Sequence, residues 1–222
     1  MKYINDNKWF IENKGFSVEY AHFFIEAIFH INHKKIHNAI NSEQTVSIQS
    51  FIYTKKDFID LFETYKKENY LPTDFLIDKI ISFISAFSFK LDNLEDLDKF
   101  QSFDDFNPLV AFPFIKLSED KFLLLDLYTL SQAFYETPFV WLSSDNKYNN
   151  LASKNRGEFT ENMVYSIFCD VFGKENVWLN VDLYSKSGLN HSKKDRIGEI
   201  DILVNIHGYS LVFQAKSKKL TI

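Results

Sequence analysis

The stretch that decides the fold is GEIDIL (residues 198–203) together with LVFQAKSKK (residues 211–219). Both runs are rich in Ile, Leu, Val and Phe, and such runs favour β-strands. The turn residues His207, Gly208 and Tyr209 lie between them. This pattern predicts an antiparallel β-hairpin.

Three polar side chains on this hairpin form a candidate site: Asp201, Gln214 and Lys216. Because side chains alternate along a strand, Gln214 and Lys216 should lie on one face, and Asp201 can lie beside them on the neighbouring strand. An acid, an amide oxygen and an ammonium at one edge suit a metal ion and a water molecule. This combination points to phosphodiester hydrolysis.

A helix and a strand are predicted ahead of the hairpin. The expected order is a helix at about 158–172, then strands at 177–184, 199–206 and 211–216. In the helical segment RGEFTENMVYSIFCDVFG, a period of 3.6 residues gives a broad inward face. That face comprises Phe159, Met163, Val164, Ile167, Phe168 and Val171.

The predicted helix carries two further carboxylates, Glu158 and Glu161. Glu161 lies closer to the inward face, so we favour it as the group that reaches the hairpin. Glu158, expected near the helix start, would be a favourable charge for the helix dipole, and the simpler alternative makes both residues ordinary helix-start acids. Glu199 shares a strand face with Asp201 and is an alternative acid, although an exposed residue at the strand start is its simpler role.

The order helix-Glu, strand-Asp, strand-Gln-x-Lys resembles the PD-(D/E)xK nuclease superfamily. The Gln of FQAKSKK is similar to the Mrr-like branch of restriction endonucleases, in which Gln replaces the second acid. The similarity covers about residues 156–222. It implies a restriction-endonuclease-like αβββ core and cleavage of DNA with Mg²⁺ or Mn²⁺, in restriction or phage defence.

The resemblance also implies a role for each of four catalytic residues. Asp201 would be the main metal ligand, Gln214 would lend its amide oxygen to the same ion, and Glu161 would hold a metal-bound water or complete the ion's surroundings. Lys216 would orient or deprotonate the attacking water and offset charge that builds up on the phosphorane.

Members of this family continue with another helix and strand after the Gln-x-Lys strand, whereas this sequence stops at Ile222. We therefore expect the core to be incomplete at its C-terminus, because an uncovered strand edge is an association hazard. A truncated form, or one completed by a partner, is the corresponding expectation.

Basic residues near the predicted site are candidates for contacts with phosphates. Residues 151–222 contain ten Lys or Arg against eight Asp or Glu, although the whole chain carries a net charge of −5. A local basic strip on an acidic protein can contact a nucleic-acid backbone, and a solvated loop is the equally simple alternative. The candidate residues are Lys193, Lys194, Arg196, Lys218 and Lys219.

The rest of the chain, residues 1–150, is predicted to be a mainly helical domain of unknown role, so the chain as a whole is expected to be α+β. The polar stretch at 143–155 is the candidate boundary to a partial nuclease-like domain at 151–222. Three helices are expected: a long helix at 16–40, a helix capped by Thr54, and a helix that Pro72, Thr73 and Asp74 open and that runs through Phe89. A hairpin is expected at 110–128, where Pro113 marks an edge strand.

The composition argues against disulfides, membrane-spanning segments and a nucleotide cofactor. The single Cys169 excludes a disulfide framework. No apolar run reaches eighteen residues, so we expect a soluble, cytoplasmic protein that does not enter a membrane. The six glycines form no phosphate-binding loop, which argues against a nucleotide cofactor. Trp9, Trp141 and Trp178 are expected in the core, with base-stacking platforms as the less favoured alternative.

Two functions from different classes follow. The first is a metal-dependent endonuclease acting on DNA, with a homodimer expected because cutting both strands needs two sites; the sequence does not separate DNA from RNA. The second is a non-catalytic nucleic-acid-binding or scaffold protein that retains a truncated nuclease fold. The intact Glu161, Asp201, Gln214 and Lys216 favour the enzyme, and the early stop favours the second.

Overall fold

The computed structural model describes residues 1–41, 47–69, 77–93, 95–102, 105–124, 126–185 and 193–216. The chain divides into two compact units, an N-terminal unit (Tyr3–Asn146) and a C-terminal unit that begins at Lys147. Both helices and sheets are present, so the predicted α+β class is confirmed. None of the helices in the described ranges has the length and apolar character needed to cross a membrane.

The N-terminal unit is built mainly from helices around one short mixed sheet. Its elements are α1 (Asn7–Lys14), α2 (Val18–Asn41), β1 (Ile52–Thr54), α3 (Lys55–Glu68), α4 (Ile77–Ala86), β2 (Ser88–Lys90), α5 (Glu95–Asp98), α6 (Pro108–Ala111), β3 (Phe114–Lys116), β4 (Lys121–Leu123) and α7 (Leu127–Ser144). The strand order is β1-β4-β3-β2. Strands β2 and β3 are parallel, and the other pairs are antiparallel.

Aromatic rings fill the core of this unit. Helix α4 buries Ile80, Phe83 and Ile84, and Phe87, the residue after its end, is also buried. These positions repeat at the spacing of one helical face. The ring of Phe83 packs edge-on against the rings of Phe16, Phe24 and Phe114. Side-chain burial from distant parts of the sequence therefore holds the helices to the sheet.

Helix α3 starts at the predicted cap. The Thr54 side chain accepts a hydrogen bond from the Asp57 backbone N–H at 3.1 Å, and the Asp57 carboxylate accepts one from the Thr54 backbone N–H at 2.6 Å. This reciprocal pair is a capping box, which satisfies two backbone donors that a helix start leaves unpaired.

We expect Thr54→Ala to lower the free energy of unfolding by about 1 kcal/mol, because one capping acceptor is lost. Urea denaturation of both proteins would measure the difference. Thr64→Ala is the matched control, since Thr64 is exposed in the middle of the same helix and alanine has the higher helix propensity. An equal loss in both variants would contradict a specific role for the cap.

Two expectations for this unit are wrong. Helix α4 ends at Ala86 instead of continuing through Phe89, because residues 88–90 form β2, which pairs with β3. Strand β3 is not an edge strand, since it lies between β4 and β2. Pro113 is accommodated because it precedes the first residue of β3, where no ladder N–H is required. The predicted helix opening at Pro72, Thr73 and Asp74 lies outside the described residues.

The C-terminal unit consists of one long helix and an antiparallel sheet. Its elements are α8 (Asn149–Phe172), β5 (Val177–Tyr184), β6 (Arg196–Ile206) and β7 (Tyr209–Phe213), and the strand order is β5-β6-β7. Helix α8 begins nine residues before Glu158, so the expected helix-start position of that residue is wrong. Glu158 pairs instead with Lys154, one turn earlier, with 3.6 Å between the charged atoms.

The core of this unit lies between α8 and one face of the sheet. Val177, Ile202 and Val204 are buried there. The helix residues packed against them are Val164, Tyr165, Phe168, Cys169 and Phe172. The predicted inward face is wrong in part: Met163, Ile167 and Val171 are exposed, so the buried stripe lies to one side of it. The stripe also includes Tyr165 and Cys169, which are both partly buried.

Candidate active site

Asp201 is the centre of the candidate site. It lies on β6 and is nearly buried, with 9% of its surface exposed. Its Oδ1 atom accepts a hydrogen bond from Gln214 Nε2 at 2.6 Å, and its Oδ2 atom accepts one from the Ala215 backbone N–H at 2.7 Å. The acid and the amide that the sequence analysis paired are therefore in direct contact.

The hairpin register accounts for this contact. His207 and Gly208 have φ values of 50° and 81° and form a two-residue turn between β6 and β7, as expected where both central residues are left-handed. Ile202 is paired with Phe213, so the next position along brings Asp201 opposite Gln214. Tyr209 is the first residue of β7, not part of the turn as predicted.

Gln214 and Lys216 lie just beyond the end of β7 at Phe213, whereas the sequence analysis placed both in the strand. The ladder ends here because the Ala215 N–H donates to the Asp201 carboxylate and not to a backbone carbonyl. Lys216 is exposed. Its ammonium forms no ion pair with a carboxylate in the described ranges.

Glu161 lies on α8 within electrostatic reach of Asp201. Burial raises the pKa of Glu161 first, and the charges of Asp201, Glu199 and Glu158 raise it further. The negative charges of these carboxylates repel one another, and a divalent cation is the kind of group that relieves such repulsion. No hydrogen bond joins Glu161 to Asp201 in the described part of the chain.

Glu199, the alternative acid, is engaged elsewhere. It lies directly opposite Asp182 on β5, and like charges at such a position are destabilising. Arg196 offsets them: its Nε donates to Asp182 Oδ1, and its Nη2 donates to Glu199 Oε2. These hydrogen bonds raise the pKa of Arg196. Asp201 is therefore the better candidate for a metal ligand.

The structure describes the side chains of only two candidate phosphate-binding residues, Arg196 and Lys194. Arg196 contributes less positive charge to a phosphate-binding surface than expected, because two carboxylates offset its charge. Lys194 is exposed, as a phosphate contact requires. The side chain of Lys193, and both Lys218 and Lys219, lie outside the described residues.

The donor chemistry of the site fits a hard divalent cation. Glu161 and Asp201 supply carboxylate oxygens, and Gln214 has an amide oxygen, the ligand types that Mg²⁺ and Mn²⁺ prefer. Both oxygens of Asp201 already accept hydrogen bonds from the protein. Because Gln214 contacts Asp201 through its amide nitrogen, the amide must rotate before its oxygen can bind an ion shared with Asp201. Across the described ranges, no group of three or more His, Cys, Asp or Glu side chains is arranged to hold a metal.

Sequence reasoning missed two features around Asp201. Asn180, on β5, has a left-handed φ of 54° and lies between the pairs that flank Asp201, Leu179↔Ile202 and Val181↔Ile200. Asn tolerates this conformation better than most residues, but nothing in the strand pattern marks it. The Ala215 N–H was also missed, because a backbone donor leaves no sequence signal.

The chain was compared with known proteins in three ways: against protein-family models, against curated proteins and against solved structures. None of the three comparisons gives a match.

Proposed function

We propose that this chain is a metal-dependent nuclease that hydrolyses phosphodiester bonds in DNA. One observation carries the proposal: Asp201 and Gln214 touch across the hairpin, and the charge of Asp201 reaches Glu161. The resemblance to the PD-(D/E)xK nucleases requires these residue types in this order. The restriction-endonuclease-like core, the homodimer, the cytoplasmic location and a role in restriction or phage defence are parts of the same proposal.

In this proposal Asp201, Gln214 and Glu161 would hold Mg²⁺ or Mn²⁺. The bound cation would polarise the phosphate and lower the pKa of water. Lys216, two residues beyond Gln214 and exposed, is free to approach the phosphate from the same end of the hairpin. Its Nζ orients the attacking water, or takes its proton when neutral, and as an ammonium it stabilises the charge on the phosphate oxygens.

The test is cleavage of plasmid DNA with and without Mg²⁺. We expect the wild type to cleave only with the cation, EDTA to abolish cleavage, and Lys216→Ala to slow it by about a hundredfold or more, the usual range for a group that moves or orients a proton. Lys174→Ala is the control, since Lys174 is another exposed lysine of this unit.

Cleavage that persists in EDTA, or that is equal in wild type and Lys216→Ala, would contradict the proposal. A non-catalytic nucleic-acid-binding or scaffold protein is the second candidate. It is favoured by the hydrogen bonds that both oxygens of Asp201 already accept from the protein. DNA binding without cleavage under any cation would support that candidate.

A further inference from the structure

One row of apolar side chains crosses the sheet of the C-terminal unit. Trp178 on β5 is paired with Leu203 on β6, and Leu203 is paired with Val212 on β7. Strand alternation places this row on the face opposite the one that packs against α8. Trp178 is 43% exposed and Val212 is 61% exposed. The expectation that Trp178 belongs to the core is therefore wrong.

The row lies beside the candidate site. Leu203 is two residues from Asp201 on β6, and Val212 is two residues from Gln214, so the row lies two positions along the sheet from the Asp201–Gln214 pair. Two strand residues span about 7 Å. A nucleobase attached to a sugar next to a phosphate at Asp201 is therefore within reach of the Trp178 indole.

The apolar row is narrow. The next cross-strand pair towards the hairpin turn is Asn205↔Ser210, and both residues are exposed and polar. On the other side lies the polar Asp201–Gln214 pair. A strip one side chain wide suits a flat ring, whereas a specific protein interface buries roughly 800 Å² on each partner and would here have to desolvate the neighbouring carboxylates.

We propose that Trp178 is the stacking surface for a nucleobase beside the phosphate at Asp201, which makes single-stranded DNA the preferred substrate. This inference rests on the proposed nuclease function. A paired base has both faces covered by its neighbours in the duplex, so an indole can stack only on a base that is unpaired or displaced. Because Asp201 is negatively charged and lies next to the row, the stacked strand requires a divalent cation at the site.

The test is binding of a twelve-nucleotide oligothymidylate in Ca²⁺, which takes oxygen ligands as Mg²⁺ does. We expect the oligonucleotide to quench tryptophan fluorescence and to bind more tightly than a duplex of equal length. Trp178→Ala should weaken binding about tenfold or more, as expected for the loss of one base–aromatic stack, and Trp178→Phe should retain most of it. Thermal unfolding of each variant checks that the fold is intact.

Tyr209→Ala is the matched control, because Tyr209 is an exposed aromatic residue of the same sheet whose position alternates to the other face. Three results would overturn the inference: equal affinity for wild type and Trp178→Ala, a preference of the wild type for duplex, or a dimer that Trp178→Ala dissociates. The third result would identify the row as a contact between two copies of the chain.

The two proposals fail in different ways. If no DNA is cleaved but oligonucleotide binding still depends on Trp178, the nuclease proposal fails and the stacking surface stands. If Mg²⁺-dependent cleavage requires Lys216 but both binding and cleavage are unchanged in Trp178→Ala, the stacking surface fails alone.

Discussion

Asp201→Ala is expected to lower Mg²⁺-dependent DNA cleavage by about a thousandfold. The carboxylate is the only charged group in direct contact with Gln214 among the described hydrogen bonds, and it is the proposed main ligand of the cation. The loss of one electrostatic group aimed at the reacting centre costs on the order of a hundredfold to a thousandfold in rate. Initial rates on plasmid DNA at saturating Mg²⁺ would measure the effect.

Two further variants separate chemistry from folding. Asp170→Ala removes another carboxylate of this unit, one that is exposed on α8, and should leave the rate unchanged. Asp201→Asn keeps the size of the side chain while it removes the charge.

In Asp201→Ala the Ala215 N–H loses its acceptor, which costs about 1–3 kcal/mol of stability when that N–H stays buried. Rates are therefore compared at temperatures well below the unfolding midpoint. A folded Asp201→Ala that cleaves like the wild type would remove Asp201 from the mechanism.

Phe83→Ala is expected to lower the free energy of unfolding of the N-terminal unit by about 3–5 kcal/mol, the range for loss of a buried aromatic side chain. The Phe83 side chain is fully buried. Its ring centroid lies 5.3 Å from that of Phe24, 5.4 Å from that of Phe16 and 4.9 Å from that of Phe87. Removing the ring leaves a cavity lined by aromatic rings from α2, α7, β3 and the chain before α2.

Urea denaturation followed by tryptophan fluorescence would measure this loss. A Trp178→Phe background leaves Trp9 and Trp141, which both report on the N-terminal unit. Phe106→Ala is the control, because Phe106 is half-exposed and should change stability by less than about 1 kcal/mol. Equal midpoints for Phe83→Ala and Phe106→Ala would contradict the packing of this core.

The helix cap and the hairpin were predictable because each depends on residues close together in the sequence. Thr54 with Asp57 three residues later is a cap signal that depends on adjacent residues only, and α3 begins where it predicts. The hairpin follows from two β-rich runs and a His-Gly turn. Once the register is set by the turn, the alternation of side chains brings Asp201 opposite Gln214 without any knowledge of the rest of the fold.

The wrong predictions concern secondary structure and burial that depend on residues distant in the sequence. Residues 88–90 continue an apolar helical pattern, yet they become β2 because β3 offers a strand to pair with. Met163 and Ile167 are as apolar as Val164, so periodicity could not show which stripe of α8 meets the sheet. The size and apolar character of Trp178 favour a core position, whereas its exposure depends on which face of the sheet the helix covers.

Metal binding tests the central claim most directly, because that claim is that Asp201, Gln214 and Glu161 surround one cation. Titration with Mn²⁺, followed by the electron paramagnetic resonance signal of the free ion, counts the sites. We predict one site per chain, with the affinity lowered about tenfold or more by Asp201→Ala and by Glu161→Ala, and unchanged by Asp170→Ala. A wild type that binds no Mn²⁺, or variants that bind it equally well, would contradict the account.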